Sequence, residues 1–277
     1  MKKTPLVSVI IPCKNSSKMI SSCLQSIKDQ TYKNLEIIVV DNYSVDDTYA
    51  IARTFTKNVY KKGPERSTQR NWGVMKSRGD WVLFVDSDME LSPTVVENCV
   101  KIVRKNSAVK GLIIPEESMG EGFWAKCKNL ERSFYVGVAY MEAARFFNKK
   151  LFLEVGGYDE TMVSGEDWYL SQKFEKVGKI KNVPDLIYHN EGQLTLSGTI
   201  RKKFYYAKHF VKYMHIRDNK YIKHQTSIVS RYKLFFSRPR KLFANPFVGV
   251  GMLIMKTGEF AAGGLGYLMS ITSKTIS

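Results

Sequence analysis

Cysteine is scarce in this chain: Cys13, Cys23, Cys99 and Cys127 are the only four among 277 residues. They show no CxxC or metal-type spacing and are too few to staple a chain of this length, which excludes a disulfide scaffold and a cysteine metal centre. Reduced thiols in a cytosolic setting are expected. A leader-like apolar run is also missing near the start. Val7 to Ile11 spans five residues and stops at Pro12, too short for the core of an export signal even with Lys2 and Lys3 ahead of it. Acid is short too, with 26 Asp and Glu against 43 Lys and Arg, a net charge of +17. Such an excess calls for an acidic partner or an anionic surface. Apolar content is ample: 44% hydrophobic and 12% aromatic residues exclude disorder for most of the chain and supply a sizeable core.

The basic excess is local. Residues 191–243 carry 13 Lys and Arg against Glu191 and Asp218, whereas residues 1–190 hold 28 basic and 23 acidic residues. The first two thirds therefore read as an ordinary α/β domain. Val7–Ile11 and Glu36–Val40 are β-branched runs suited to parallel strands covered on both faces. Between them Ile20, Cys23, Leu24 and Ile27 recur at helical spacing, with Ser16 or Ser17 placed to cap. A second helix is expected after Asp46-Asp47-Thr48. Trp81–Val85 is a further buried strand, and Ser92-Pro93 reads as cap and first residue of another helix, with Val96, Cys99, Val100 and Val103 inward.

Open parallel α/β sheets bind ligands at the carboxyl ends of their strands. Pro12 to Asn15, Asp41, and Asp86 with Asp88 occupy three such ends. Asp86 and Asp88 leave the strand end on one side, where two carboxylates suit a hard divalent cation such as Mn²⁺ or Mg²⁺; a solvated turn is the alternative.

Four motifs, VSVIIPCKN (7–15), EIIVVDNYSVDDT (36–48), QRNWGVMKSRGDWVLFVDSDMEL (69–91) and VGGYDETMVSGEDWYLSQKFEKVG (155–178), resemble the family 2 glycosyltransferases of the GT-A fold in their family order. These are inverting enzymes that use nucleotide sugars. The resemblance covers roughly residues 5–190, with Pro-Cys-Lys-Asn where many members have Pro-Thr-Tyr-Asn, and Asp-Asn-Tyr-Ser where Asp-Asp-Gly-Ser is common. It implies that Pro12, Lys14 and Asn15 line a nucleotide pocket and that Asp41 accepts from the base, capping the next helix being the alternative for Asp41. Arg70, with Arg66 nearby, would fork onto the diphosphate unless both are surface arginines. Asp88 would hold the metal, Asp86 the ribose or the metal shell, and His189 would be a further ligand or a structural histidine. Asp167 resembles the catalytic base that takes the proton of the acceptor hydroxyl. Glu166 and Trp168 would flank the acceptor, although two carboxylates opening a helix also complement its positive end, and a helical Trp also serves a core.

The last third reads differently. Residues 198–217 set Phe204, Ala207, Val211 and Met214 at helical spacing among Lys and Arg, which fits an interfacial membrane helix, a nucleic-acid-binding helix or a helix packed on the catalytic domain. Residues 247–271 are apolar and Gly-rich, broken only by Lys256 and Glu259, which could pair. At about 1.5 Å per residue that stretch is long enough to cross a bilayer, and a spanning helix is expected, a helix lying in the interface or a re-entrant pair being the alternatives.

The expected organisation is a mostly parallel Rossmann-like GT-A sheet with helices on both faces over 1–195, basic amphipathic interfacial helices over 196–243, and a hydrophobic membrane anchor over 244–277. The expected activity moves a sugar, GDP-mannose first and UDP-sugars second as donor, to a polyprenyl-linked or lipid-linked oligosaccharide at the cytoplasmic membrane face. Anionic membrane is the expected partner and nucleic acid is not. A basic nucleic-acid-binding protein or a nucleotidyltransferase on a related sheet is the alternative, the latter weakened by the absence of a Gly-rich loop after the first strand.

Overall fold

A computed structural model describes residues 4–216 and 221–274. Lys2, Lys3, Arg217, Asp218 and Lys220, counted above, lie outside the described residues. In chain order the elements are β1 (Val7–Cys13), α1 (Ile20–Lys28), β2 (Leu35–Asp41), α2 (Thr48–Phe55), β3 (Val59–Lys61), α3 (Arg66–Lys76), β4 (Trp81–Phe84), β5 (Met89–Leu91), α4 (Val95–Lys105), β6 (Val109–Ile113), β7 (Glu116–Glu121) and α5 (Phe123–Ser133). They continue with β8 (Ala144–Asn148), α6 (Lys149–Glu154), α7 (Glu166–Val177), β9 (Lys179–Asn182), β10 (Ile187–Gln193), α8 (Leu196–His209), α9 (Val211–Met214), α10 (Ile222–Thr226), α11 (Ile228–Phe236), α12 (Pro239–Leu242) and α13 (Pro246–Lys274).

The chain forms two compact units. The first comprises residues 1–116, 143–161 and 166–190, and the second 117–142, 162–165 and 191–277. The expected division at residue 195 missed that residues 117–142, which contain α5, belong with the C-terminal helices.

The first unit is built on a seven-stranded sheet of order β3-β2-β1-β4-β8-β6-β9. β1 runs parallel to β2 and β4, β2 to β3 and β6 to β9, while β8 is antiparallel to both of its neighbours. Alternation along the strands explains the two cores. Val9, Ile11 and Val39 point to one face, under α1, α2 and α4, and Ile10, Ile38 and Val40 to the other, under α3, α6 and α7. Both faces are thus covered, as the unbroken apolar runs imply.

Two caps differ from expectation. The backbone N–H groups of Ser16 and Ser17 donate to Thr48 Oγ1 (2.6 Å) and Asp46 Oδ2 (3.1 Å), tying the β1–α1 loop to the start of α2. Helix α1 therefore begins later, at Ile20, with Met19 as its cap residue. Likewise Ser92 and Pro93 form a turn before α4, which starts at Val95 after Thr94.

In the second unit the helix expected over 198–217 is divided at Phe210 into α8 and α9. Helix α13 packs on α8 and α5, and its glycines permit the approach: a Cβ at Gly251 would lie 2.5 Å from the Phe123 ring, and one at Gly266 2.6 Å from the Phe204 carbonyl oxygen. The spanning-helix expectation is corrected here, since no described helix is long and apolar enough to cross a membrane. Lys256 and Glu259 do pair (2.7 Å), and both are buried against α5. Lys256 Nζ also reaches Glu131 Oε1 (2.6 Å), while Lys128 Nζ reaches Glu131 Oε2 (2.8 Å) and Glu259 Oε1 (2.9 Å), closing a four-charge ring. Burial alone would raise the Glu131 carboxyl, but the Lys128 and Lys256 charges hold it well below the ordinary range.

Removing one member of such a ring strands a buried charge. Lys256→Leu is expected to lower the unfolding free energy by about 3–5 kcal/mol, and Lys256→Leu with Glu259→Leu to recover much of that, because the Lys128–Glu131 pair stays neutral. Urea unfolding of the three proteins checks this.

Candidate active site

The site lies in the first unit, at the carboxyl ends of β1, β2 and β4. The end of β1 carries Pro12, which is buried, and then Lys14 and Asn15, both exposed. Asn15 adopts φ 49°, a left-handed conformation that asparagine tolerates better than most residues. From there its N–H donates to Ser44 Oγ (2.8 Å) and its Oδ1 accepts from Val45 N–H (2.9 Å), joining the loops that follow β1 and β2. Asp41 has no exposed surface. It accepts from the Ser44 N–H (3.1 Å), the Ser44 hydroxyl and the Cys13 thiol (3.7 Å), so its structural task is to hold the β2–α2 turn, and the role expected of it as reader of a base is not what its oxygens serve here.

Helix α3 brings the decisive side chain. Arg70 is fully buried. Its Nη2 donates to Asp86 Oδ1 (2.7 Å) just after β4, and its Nη1 to Asp167 Oδ1 (2.9 Å) and Glu166 Oε1 (3.4 Å) at the start of α7. The guanidinium lies 5.1 Å from the centre of the Tyr158 ring. Arg70 is therefore no diphosphate clamp: both of its terminal nitrogens are engaged by protein carboxylates inside the unit. Arg66, one turn earlier, is the outward cation, with 42% of its side chain exposed and Nη2 3.5 Å from Glu166 Oε1.

Asp86 is also corrected. Besides Arg70, its Oδ2 faces Arg145 Nη1 (3.5 Å), and Arg145 pairs in turn with Glu116 (2.6 Å). Burial works to raise the Asp86 carboxyl, but Arg70, then Arg145 and Arg66, hold it well below the ordinary carboxylate range. With Oδ1 hydrogen-bonded to Arg70 and Oδ2 facing Arg145, Asp86 serves here as an anion that organises the two arginines. Asp88 points elsewhere: it is 38% exposed, and its Oδ2 lies 3.1 Å from His189 Nε2 on β10, which pairs with β5.

Among the described residues no group of three or more His, Cys, Asp or Glu side chains is set to hold a metal ion. Asp88 and His189 nonetheless form a carboxylate–imidazole donor pair that fits a borderline divalent ion such as Mn²⁺, with phosphate oxygens completing its shell.

The two acids opening α7 are in different settings. Glu166 is 4% exposed, and burial, then the adjacent Asp167 charge, raise its carboxyl to about 7 against the pull of Arg66 and Arg70. Asp167 is 27% exposed and so is the carboxylate of this pair that a ligand can reach. Trp168 is half-buried beside it in the first turn of α7.

A family model, "Glycosyl transferase family 2", matches residues 8–177, more than half of the chain. The chain belongs to glycosyl transferase family 2. Among the proteins it resembles, an uncharacterized glycosyltransferase of Haemophilus influenzae is 28% identical over 177 residues, 59% of this chain and 60% of that one. The chondroitin synthase of Escherichia coli is 27% identical over 206 residues, 68% of this chain but 29% of that one. The chain thus spans about three fifths of the first and under a third of the second.

Solved structures agree on the GT-A type of fold. A mannosyltransferase from Pyrobaculum calidifontis, in complex with GDP-Man and Mn²⁺, superposes with a TM-score of 0.58 at 18% identity, over 99% of this chain and 81% of that one. Staphylococcus aureus TarS follows with 0.54 at 17% identity, over 97% and 55%.

Four residues of this family 2 site escaped sequence reasoning: Gln69, Glu116, Arg145 and Tyr158. Gln69 Nε2 donates to the carbonyls of Cys13 (2.9 Å) and Val40 (2.5 Å), stitching the ends of β1 and β2. For Arg145 a signal existed, since a lone arginine within the strand Ala144-Arg145-Phe146-Phe147 requires a buried anion.

The raised Glu166 carboxyl makes stability depend on pH. A carboxyl held near 7 in the fold but near 4.5 when unfolded stabilises fully below about 4.5, and that contribution is lost as pH rises through 7. Relative to Glu166→Gln, the unmodified protein is expected to lose up to roughly 3 kcal/mol between pH 4.5 and 7.5, read by urea unfolding at each pH. A difference that stays constant with pH would show that Glu166 does not titrate in that window.

Proposed function

We propose that the protein is an inverting glycosyltransferase that moves a sugar from a nucleotide-diphosphate sugar to a polyprenyl-linked or lipid-linked oligosaccharide acceptor at the cytoplasmic face of a membrane. The observation that carries the chemistry is the Arg70 fork, which fixes the accessible carboxylate Asp167 relative to Asp86 at the end of β4. Transfer with inversion needs a base on the side of the anomeric carbon opposite the departing diphosphate. Asp167 takes the proton of the acceptor hydroxyl as its oxygen bonds to that carbon and the bond to the diphosphate oxygen breaks. Arg70, itself buried, orients Asp167 through its 2.9 Å hydrogen bond.

The donor lies along the carboxyl ends of β1 and β2. Lys14 and Asn15 form the exposed rim of that pocket, with Pro12 and Asp41 beneath it, and Arg66 meets the departing diphosphate charge. Asp88 and His189 would hold a divalent cation, Mn²⁺ or Mg²⁺, which when bound supplies charge neutralisation to the leaving group. We take GDP-mannose as donor, the nucleotide sugar held by the Pyrobaculum neighbour, with UDP-sugars as its competitors. Trp168 and Glu166 flank the acceptor. A lipid-linked acceptor and a position at the membrane accord with the basic, apolar C-terminal segment.

Asp167→Asn is expected to fold and to bind nucleotide within about threefold of the unmodified protein while turnover falls on the order of 10²–10⁴-fold. Nucleoside diphosphate release with GDP-mannose and UDP-sugars, alongside calorimetric binding of GDP and UDP, tests both parts. Unchanged turnover removes Asp167 as base, and tighter binding of UDP than GDP reassigns the donor.

A further inference from the structure

Helix α13 is apolar on both sides, with Met252 and Met255 buried in the core of the second unit and its two charges turned inward as well. On an ordinary surface helix the charged residues face water and the apolar ones face the core. Here Lys256 and Glu259 point inward to Lys128 and Glu131, whereas Phe247, Val250, Ile254, Leu265 and Leu268 are exposed, Phe247 by 82%. Those five recur at intervals of three, four, eleven and three residues, so they form one stripe along the outward arc of a 29-residue helix, joined by Thr257. No described residue of the second unit covers the stripe. Single exposed apolar residues are ordinary, but a continuous stripe of them marks an interaction surface.

The flank indicates what covers it. Residues 236–247 lead into α13 and expose Phe236, Phe243 and Phe247 among Arg238 and Arg240. On α11, Tyr232 stacks on Phe236 and hydrogen-bonds Thr257 on the outward arc (2.6 Å), which places this aromatic and basic edge beside the stripe. A second copy of the chain would bring one basic edge against another, and the segment 191–243 holds 13 Lys and Arg with two acids. An anionic lipid surface meets both features, taking the apolar stripe at the acyl boundary and the arginines at its headgroups.

We propose that α13 lies in the plane of an anionic leaflet, its outward stripe sunk into the interface and its inward charges neutralised by α5, so that the protein rests on the membrane without crossing it. The proposal rests on the membrane part of the preceding reading and is independent of its chemistry.

Sedimentation of the 277-residue chain with vesicles, in the absence of any nucleotide sugar, tests it without recourse to turnover. Vesicles of phosphatidylcholine with 30% phosphatidylglycerol are expected to bind at least tenfold more strongly than phosphatidylcholine alone. Leu265→Glu with Leu268→Glu should weaken binding to the anionic vesicles at least tenfold, as should Arg238→Glu with Arg240→Glu, each with an unchanged circular dichroism spectrum and melting temperature. Failure to sediment with either vesicle overturns the proposal, and so does equal binding by the variants. A stable dimer in light scattering that Leu265→Glu with Leu268→Glu dissolves would assign the stripe to a second copy instead.

Discussion

A guanidinium with no exposed atom, set among three carboxylates, is the constraint from which the rest of the first unit follows. An isolated cation at the position of Arg70 would be prohibitively costly to bury, so Asp86, Glu166 and Asp167 have to converge on it. That convergence pins the turn after β4, the start of α7 and the middle of α3, which are far apart in sequence. Both terminal nitrogens are paired from inside, which leaves Asp167 both oriented and reachable. A planar fork suits this better than an ammonium would, because two carboxylates on different elements are held at fixed angles to each other.

The second unit repeats the device with different partners. Lys256 and Glu259 would be intolerable on an apolar helix were they not closed into a ring with Lys128 and Glu131 of α5. The ring determines which way α13 faces. Once the charges have turned inward, the apolar arc has no choice but to turn outward, and glycines such as Gly251 and Gly266 let the inner face sit close to α5 and α8. The composition that suggested a spanning helix thus serves close packing on one side and an exposed stripe on the other.

Much of the first unit was legible in the sequence because its signals are local. Unbroken apolar runs marked β1, β2 and β4, helical spacing marked α1 and α4, and the acids after each strand marked the edge where the donor is proposed to bind. Asp88, singled out by motif, and His189, singled out by its place, lie 3.1 Å apart. The rest depends on partners distant in the chain. Whether Arg70 faces solvent or an interior is decided by residues 16, 96 and 97 positions away, and Arg145 acquires its meaning only when β8 inserts beside β4. Caps were misplaced for the same reason, since Ser16 and Ser17 are drawn away by Thr48 and Asp46. A helical period shows that α13 has faces but not which of them is covered.

The proposed chemistry requires Arg70 to act through Asp167 and not on the donor. The most direct measurement is steady-state turnover of Arg70→Lys, in protein shown to be folded, together with its calorimetric affinity for nucleoside diphosphate. A lysine keeps the charge but cannot hold two carboxylates as a fork. The expected result is a fall in kcat of at least about a hundredfold with nucleotide affinity changed less than about threefold. A loss confined to nucleotide affinity, with kcat preserved, would contradict the account and return Arg70 to the role of a diphosphate clamp.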